Sequence, residues 1–278
     1  MTSTIQTLDV LRHPGNPDRI VRVRVERPGE GARPRPAVLI LHGFKGFMHW
    51  GFFPELSRRL AEAGLVAVSF NTSGSGIGED LETFTDTEGF AKNTYSKELE
   101  DLELVREHAR ALADVDPGRL GLFGHSRGGG VALLHAARRG DYRAVVTWAA
   151  IDDVDRVDEA TKREWRERGH IFIPNARTGQ QHRLDLDALE DVERNREALD
   201  VLAACSRLHA PVLVVHGTAD PAVPFHASER IAAALPRARH LALEGEGHTF
   251  GATHPFQGTT PALERALEAT RAHFLEHL

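Results

Sequence analysis

A pentapeptide near the middle of the chain, Gly124-His-Ser-Arg-Gly128, has the spacing G-x-S-x-G. The two glycines allow a sharp strand-to-helix turn, because they carry no side chain that would collide across it. Such a turn lifts a serine hydroxyl above the end of a sheet, at the positive end of the following helix. The spacing therefore predicts that Ser126 is a nucleophile for acyl transfer.

A serine hydroxyl needs a base to become a good nucleophile, and the base is usually a histidine. Of the 16 histidines, His248 is our candidate, because it ends a glycine-rich loop, residues 244–248, that directly follows a predicted strand. A loop of this kind can present an imidazole to Ser126. His254 and His240 are the alternatives.

The base in turn needs a carboxylate that fixes its tautomer and stabilises its charged form. Asp220 is the candidate, because it follows a predicted strand and the prolines at 221 and 224 stiffen the turn behind it. Glu244 and Glu246 also lie near His248 in sequence. Neighbours that close are poorly placed to align its ring.

Short apolar runs alternate with helical patterns along most of the chain, which predicts the elements that position these residues. The predicted strands are Val21–Val25, Ala37–Leu41, Val66–Phe70, Leu120–Phe123, Ala144–Trp148, Pro211–Val215 and His240–Leu243, and the predicted helices are Leu56–Ala63, Thr94–Leu112, Gly128–Arg139, Ala227–Leu235 and Thr260–Leu278. The first strand alternates with arginines and is expected to be half-exposed near a sheet edge. This order predicts an α/β fold: a mostly parallel, twisted sheet with helices on both faces.

Residues 152–200 interrupt the alternation, because they are highly charged and contain no buried-strand pattern. We interpret them as a cap (lid) insertion over the carboxyl edge of the sheet, with a hairpin within residues 171–186. Residues 1–151 and 201–278 would then form the core domain. A solvated helical pair far from any site is the alternative, although long excursions in compact domains are usually functional.

The whole chain resembles the α/β-hydrolase superfamily, and within it the dienelactone-hydrolase-like and cinnamoyl (feruloyl) esterase-like proteins. The resemblance rests on His42-Gly-Phe44, Gly124-His-Ser-Arg-Gly128, His216-Gly-Thr-Ala-Asp220 and Gly247-His248. It implies a triad of Ser126, Asp220 and His248, and an oxyanion hole formed by the backbone amides of Phe44 and Arg127. Lys45 and Gly46 extend the same loop, so a shift of the first donor by one residue is the alternative. Dienelactone hydrolases usually carry cysteine at the nucleophile position. The serine at position 126 therefore argues against dienelactone hydrolysis and favours a carboxylesterase.

The expected function is hydrolysis of small to medium acyl or aryl esters through an acyl-enzyme. Trp148, Trp165 and Phe172 are candidates for the substrate pocket, and the charged cap suggests a polar or anionic substrate that reaches Arg127 or Arg177. Thioesterase, peptidase and lactonase activities stay open, as does a ligand-binding homologue without catalysis. An oligopeptidase is not expected, because the chain leaves no room for the large extra domain that such enzymes usually have.

The composition excludes several other classes of function. The net charge is −6 and the basic residues are scattered, which argues against a nucleic-acid partner. No apolar run reaches 18 residues and no signal peptide is recognisable, so a cytoplasmic protein without a membrane span is expected. With one cysteine and dispersed histidines, neither a metal nor another cofactor is expected. The partner would be a small-molecule ester, and the protein a monomer or homodimer.

Overall fold

The computed structural model describes residues 4–29, 34–175 and 179–278. The strands are β1 Thr4–His13, β2 Asn16–Pro28, β3 Arg35–Leu41, β4 Val66–Asn71, β5 Val115–His125, β6 Ala144–Trp148, β7 His170–Pro174, β8 Gln181–Asp185, β9 Val212–Gly217 and β10 Ala238–Leu243. The helices are α1 Phe53–Glu62, α2 Thr87–Ala91, α3 Tyr95–Ala111, α4 Arg127–Arg139, α5 Glu159–Arg168, α6 Asp187–Arg194, α7 Val201–Arg207, α8 His226–Ala234 and α9 Pro261–His277.

Eight of the strands form one sheet in the order β1-β2-β4-β3-β5-β6-β9-β10. The pairs β1-β2 and β2-β4 are antiparallel, and all further pairs of this sheet are parallel. Helices cover both faces: Leu56 of α1 and Leu263 of α9 pack in one core cluster, whereas Leu102 of α3 and Val131 of α4 pack in the other. This arrangement confirms the predicted α/β-hydrolase fold.

Local sequence signals account for several helix boundaries. Thr94 caps α3 by accepting a hydrogen bond from the Lys97 amide at 3.1 Å, and Thr260 caps α9 in the same way. Pro261 then occupies the first turn of α9, where its missing amide proton is not needed. The buried run of β3 lies between two parallel neighbours, as expected for a strand covered on both faces.

The amino-terminal hairpin differs from the prediction. The sequence did not indicate β1, and β2 is longer than the predicted strand Val21–Val25. β2 is also not half-exposed: Arg24 is buried and pairs with Glu26 at 2.9 Å. Two opposite charges at positions i and i+2 share one face of a strand, so each provides the partner that the other needs when buried.

Residues 152–200, called the cap segment below, contain α5, the antiparallel hairpin β7-β8 and α6. The hairpin falls within the predicted range 171–186 apart from its first residue, His170, while Arg177 lies outside the described residues. The division into core and lid domains stays a prediction. None of the helices in the described ranges is long and apolar enough to cross a membrane.

Candidate active site

Ser126 occupies a strained turn between β5 and α4. Its backbone has φ 56° and ψ −122°, a conformation that non-glycine residues adopt only where the surrounding structure enforces it. The Ser126 amide donates to the Trp148 carbonyl at 2.8 Å, and its own carbonyl accepts from the Gly129 amide at 2.9 Å. A Cβ atom on Gly128 would collide with the backbone of His42, which explains the glycine after the serine.

Asp220 and His248 meet above the carboxyl ends of β9 and β10. The imidazole Nδ1 of His248 donates to Asp220 Oδ2 at 2.7 Å. The other carboxylate oxygen, Oδ1, accepts from the amides of Ala222 and Val223 at 2.8 and 3.0 Å. The turn that follows β9 therefore fixes the carboxylate, and the carboxylate fixes the ring with its Nε2 directed away from Asp220.

The carboxylate of Asp220 is held in its charged form. Burial alone would raise its pKa, but hydrogen bonds from His216, His248 and the Val223 amide outweigh burial and hold the pKa well below its usual range. His216 lies 3.3 Å from Oδ2 and also contacts the Val223 carbonyl at 2.9 Å. His216 begins the motif that ends at Asp220, but the sequence pattern did not predict this contact.

The loop after β3 approaches the serine closely. A Cβ atom on Gly43 would lie 2.9 Å from the Ser126 Cβ, so only glycine allows this approach. Among the described residues, the amides of Phe44 and Arg127 donate to no backbone carbonyl. The Arg127 amide belongs to the first residue of α4, which has no acceptor inside its own helix. Both amides are thus available to an oxygen bound beside Ser126.

Two further histidines stabilise these loops as neutral rings. His125 Nε2 donates to the His248 carbonyl at 3.1 Å, and burial lowers the pKa of His125 to about 3. His42 Nδ1 donates to the Gly43 carbonyl at 2.8 Å, and its Nε2 accepts from the Thr72 amide at 3.3 Å. Burial lowers the pKa of His42 to about 4. Both rings stay uncharged at neutral pH and tie the loops together.

Ser126 and His248 line one cleft of about 430 Å³, the central cleft, together with Phe44 and Trp50. The two alternative bases, His240 and His254, form hydrogen bonds with other residues. His240 hydrogen-bonds to Ser228 at 3.0 Å, and the ring of His254 accepts a hydrogen bond from the Gly51 amide at 3.2 Å. Of the candidate bases, His248 is therefore the one that the structure brings together with both Asp220 and the serine's cleft.

A second cavity of about 260 Å³, the cap cavity, lies between the core and the cap segment and shares Phe44 with the central cleft. Its cap side is mostly apolar and includes Trp165, Ile171, Leu184 and Leu189. On its core side the guanidinium of Arg127 lies 3.7 Å from the centre of the Tyr95 ring and donates from Nε to Glu98 at 2.8 Å. The sequence could not reveal Tyr95 and Glu98 as neighbours of Arg127, because they lie about thirty positions earlier.

The structure contradicts the pocket prediction for two of the three aromatic residues. Trp148 is fully buried in the core, where its Nε1 donates to Thr270 Oγ1 at 2.9 Å. Phe172 is 57% exposed on the hairpin and lines neither the cleft nor the cap cavity. Side chains alternate between the two faces of a strand, so a one-residue difference decides whether an aromatic reaches a pocket. Trp165 does line the cap cavity. In the described part of the chain, no group of three or more potential ligands could hold a metal ion.

The parallel sheet, the turn at Ser126 and the loops that carry Asp220 and His248 define an α/β-hydrolase. The family model for the prolyl oligopeptidase family matches residues 50–275. The chain belongs to this family.

Known proteins of similar sequence and structure agree with the fold. The chain is 27% identical over 242 residues to 2,6-dihydropseudooxynicotine hydrolase of Paenarthrobacter nicotinovorans, a match that covers 85% of this chain and 58% of that one. It therefore spans little more than half of that relative. Est1E from Butyrivibrio proteoclasticus matches with a TM-score of 0.70 at 20% identity and covers 97% of this chain and 98% of its own. Dienelactone hydrolase from Anabaena variabilis matches with a TM-score of 0.65 at 16% identity, covering 99% of each chain.

Proposed function

We propose that this protein is a serine hydrolase that cleaves carboxylic esters of small to medium acyl or aryl groups through an acyl-enzyme. The observation that carries the proposal is that His248, which contacts the buried Asp220 at 2.7 Å, lines the same cleft as Ser126. A charged carboxylate, an oriented imidazole and a hydroxyl on a strained turn are the three parts that nucleophilic acyl transfer needs.

In the first half-reaction, Ser126 Oγ attacks the ester carbonyl carbon while His248 Nε2 takes the hydroxyl proton. Asp220 keeps the proton on Nδ1 of the ring, so Nε2 is free to accept, and its charge stabilises the imidazolium that forms. The carbonyl oxygen becomes an oxyanion. The amides of Phe44 and Arg127 are the donors that would stabilise it.

The tetrahedral intermediate then collapses. Its bond to the alcohol oxygen breaks, and His248 returns its proton to the departing alcohol, which leaves the acyl group on Ser126. A water molecule repeats the sequence: His248 removes its proton, the water oxygen attacks the acyl carbon, and the serine leaves protonated as the acid is released.

A chain-length series of p-nitrophenyl esters, from acetate to dodecanoate, tests this function. The cap cavity of about 260 Å³ favours acyl groups that fit inside it. We expect hydrolysis of short and medium esters with a marked fall in kcat/KM at dodecanoate. Release of nitrophenol no faster than in buffer, at every chain length and with a folded protein, would contradict ester hydrolysis.

Amide hydrolysis is the second candidate, because the matching family is named for a peptidase. The same groups would cleave an amide provided that His248 protonates the leaving nitrogen. Matched p-nitroanilides of the acyl groups that serve best as esters separate the two activities. We expect the esters to be hydrolysed and the anilides to release nitroaniline no faster than in buffer. Anilide hydrolysis above the rate in buffer that Ser126→Ala abolishes would favour a peptidase.

A further inference from the structure

The guanidinium of Arg127 has donor capacity that the protein does not use. Its Nε donates to Glu98, whereas neither Nη1 nor Nη2 has a hydrogen-bond partner among the residues that the structure describes. Nη2 is enclosed by protein, but the side chain as a whole is 12% exposed and forms part of the wall of the cap cavity. A guanidinium that is largely removed from water and has unused donors favours a ligand oxygen placed against its exposed edge.

The guanidinium is also held in a fixed orientation. It stacks on Tyr95 at 3.7 Å and lies 5.3 Å from the ring centre of Phe44. Together with the Glu98 contact, these two rings restrain the plane of the group. A donor that is already oriented loses little conformational entropy when it binds an acceptor.

The buried charge around the cap cavity is balanced. Arg127 is paired with the buried carboxylate of Glu98, which also accepts from Asn93 at 2.7 Å. Asp155 is paired with Lys162 at 2.7 Å, and Arg156 is exposed to solvent, which screens its charge. A further anion in this largely apolar cavity would lose its hydration without an unpaired buried counter-charge, whereas a neutral oxygen needs only a donor.

The position of His248 decides which part of an ester enters this cavity. The leaving alcohol must lie within reach of His248 to be protonated, so it occupies the central cleft, which His248 lines. The lining of the cap cavity includes Phe44 and Arg127 but not His248. Ser126 lines the central cleft and not the cap cavity, whereas Phe44 lines both. Phe44 and Arg127 are the residues whose amides would stabilise the oxyanion, so we assign the cap cavity to the acyl side of the carbonyl, with the acyl chain passing Phe44.

We propose that the cap cavity binds an acyl chain that is apolar along its length and carries a neutral oxygen acceptor, such as a ketone or ether, near its far end, where Arg127 donates to it. This inference rests on the proposed ester hydrolysis and adds the substrate class. Arg127 is then a specificity-determining residue through its side chain, independently of its backbone amide.

Three matched p-nitrophenyl esters test the proposal: the 6-oxoheptanoate, the 6-methylheptanoate and the half-ester of adipate. They place a ketone, a branched hydrocarbon and a carboxylate at the same position, and sets longer or shorter by one methylene locate the best fit. We expect the ketone to exceed the hydrocarbon in kcat/KM by about 10- to 100-fold, the range for one hydrogen bond from a charged donor. The carboxylate should be the poorest of the three.

Arg127→Met removes the donors and keeps the backbone amide and an apolar stem, so the ketone-to-hydrocarbon ratio should fall to about one. The double variant Arg127→Met/Glu98→Gln avoids an unpaired buried carboxylate if the single variant does not fold. A ratio near one in the unsubstituted protein, a ratio that survives in both variants, or a preference for the carboxylate would each overturn the proposal. No hydrolysis of any ester would instead refute the proposed function, and the inference would fall with it.

Discussion

Replacing Asp220 with asparagine tests how the carboxylate controls His248. The asparagine oxygen would keep the position of Oδ1, because the amides of Ala222 and Val223 both donate there. Its NH₂ group would then face Nδ1 of His248, where the carboxylate accepts at 2.7 Å. A donor in that position favours the tautomer with its proton on Nε2, and that tautomer cannot accept the proton of Ser126.

The wrong tautomer and the lost charge together should lower kcat by about 10⁴-fold, or about 5 kcal/mol of transition-state stabilisation. The assay is steady-state hydrolysis of p-nitrophenyl acetate, with thermal unfolding to verify that the variant is folded. Asp116→Asn is the matched control, since Asp116 lies near the opposite end of β5 from Ser126 and pairs with Arg119. A kcat for Asp220→Asn within tenfold of the unsubstituted protein would refute this role for Asp220.

Two further predictions concern residues that surround Ser126 and His248. Burial lowers the pKa of His125 from 6.5 to about 3. Below pH 6.5 the unfolded chain therefore binds a proton that the folded chain does not, and the free energy of unfolding decreases as the pH is lowered. His125 alone should account for a loss of about 2 kcal/mol of the unfolding free energy between pH 8 and pH 5, and His42, whose pKa burial also lowers, adds to the total. His125→Gln, which can still donate to the His248 carbonyl, should show a smaller loss in urea titrations at the two pH values, and an equal loss would contradict the assignment. Gly43→Ala places a methyl group 2.9 Å from the Ser126 Cβ and should lower kcat by about tenfold or more, whereas Gly15→Ala, with no atom within 4 Å, should be fully active. Equal kcat values for the two glycine variants would show that the approach of this loop is not needed.

The sequence predicted those parts of the site that depend on local backbone geometry. The turn at Ser126 needs glycines at fixed spacing between a strand and a helix, and this demand is visible in five residues. The order of strands and helices was equally visible, because buried parallel strands are apolar throughout. β1 was missed since three of its apolar residues, Ile5, Leu8 and Val10, are more than half exposed and give no buried pattern.

Contacts between distant segments could not be predicted in the same way. Arg127 directly follows Ser126 in sequence, yet its side chain is held by Tyr95 and Glu98 of α3. Trp148 and Phe172 have the right residue type for a pocket, but one lies in the core and the other points outward. The direction in which a side chain points depends on strand register and on how the cap segment packs, and a short motif encodes neither.

If the proposed mechanism holds, Ser126 is acylated during turnover. Reaction of the protein with a fluorophosphonate probe, followed by intact-mass and peptide mass spectrometry, tests this directly. We expect one adduct per chain on the peptide that contains Ser126, with loss of p-nitrophenyl acetate hydrolysis in proportion to labelling. Ser126→Ala should take up no probe and should retain no activity above the uncatalysed rate. An adduct at another residue, or esterase activity that survives in Ser126→Ala, would contradict the claim.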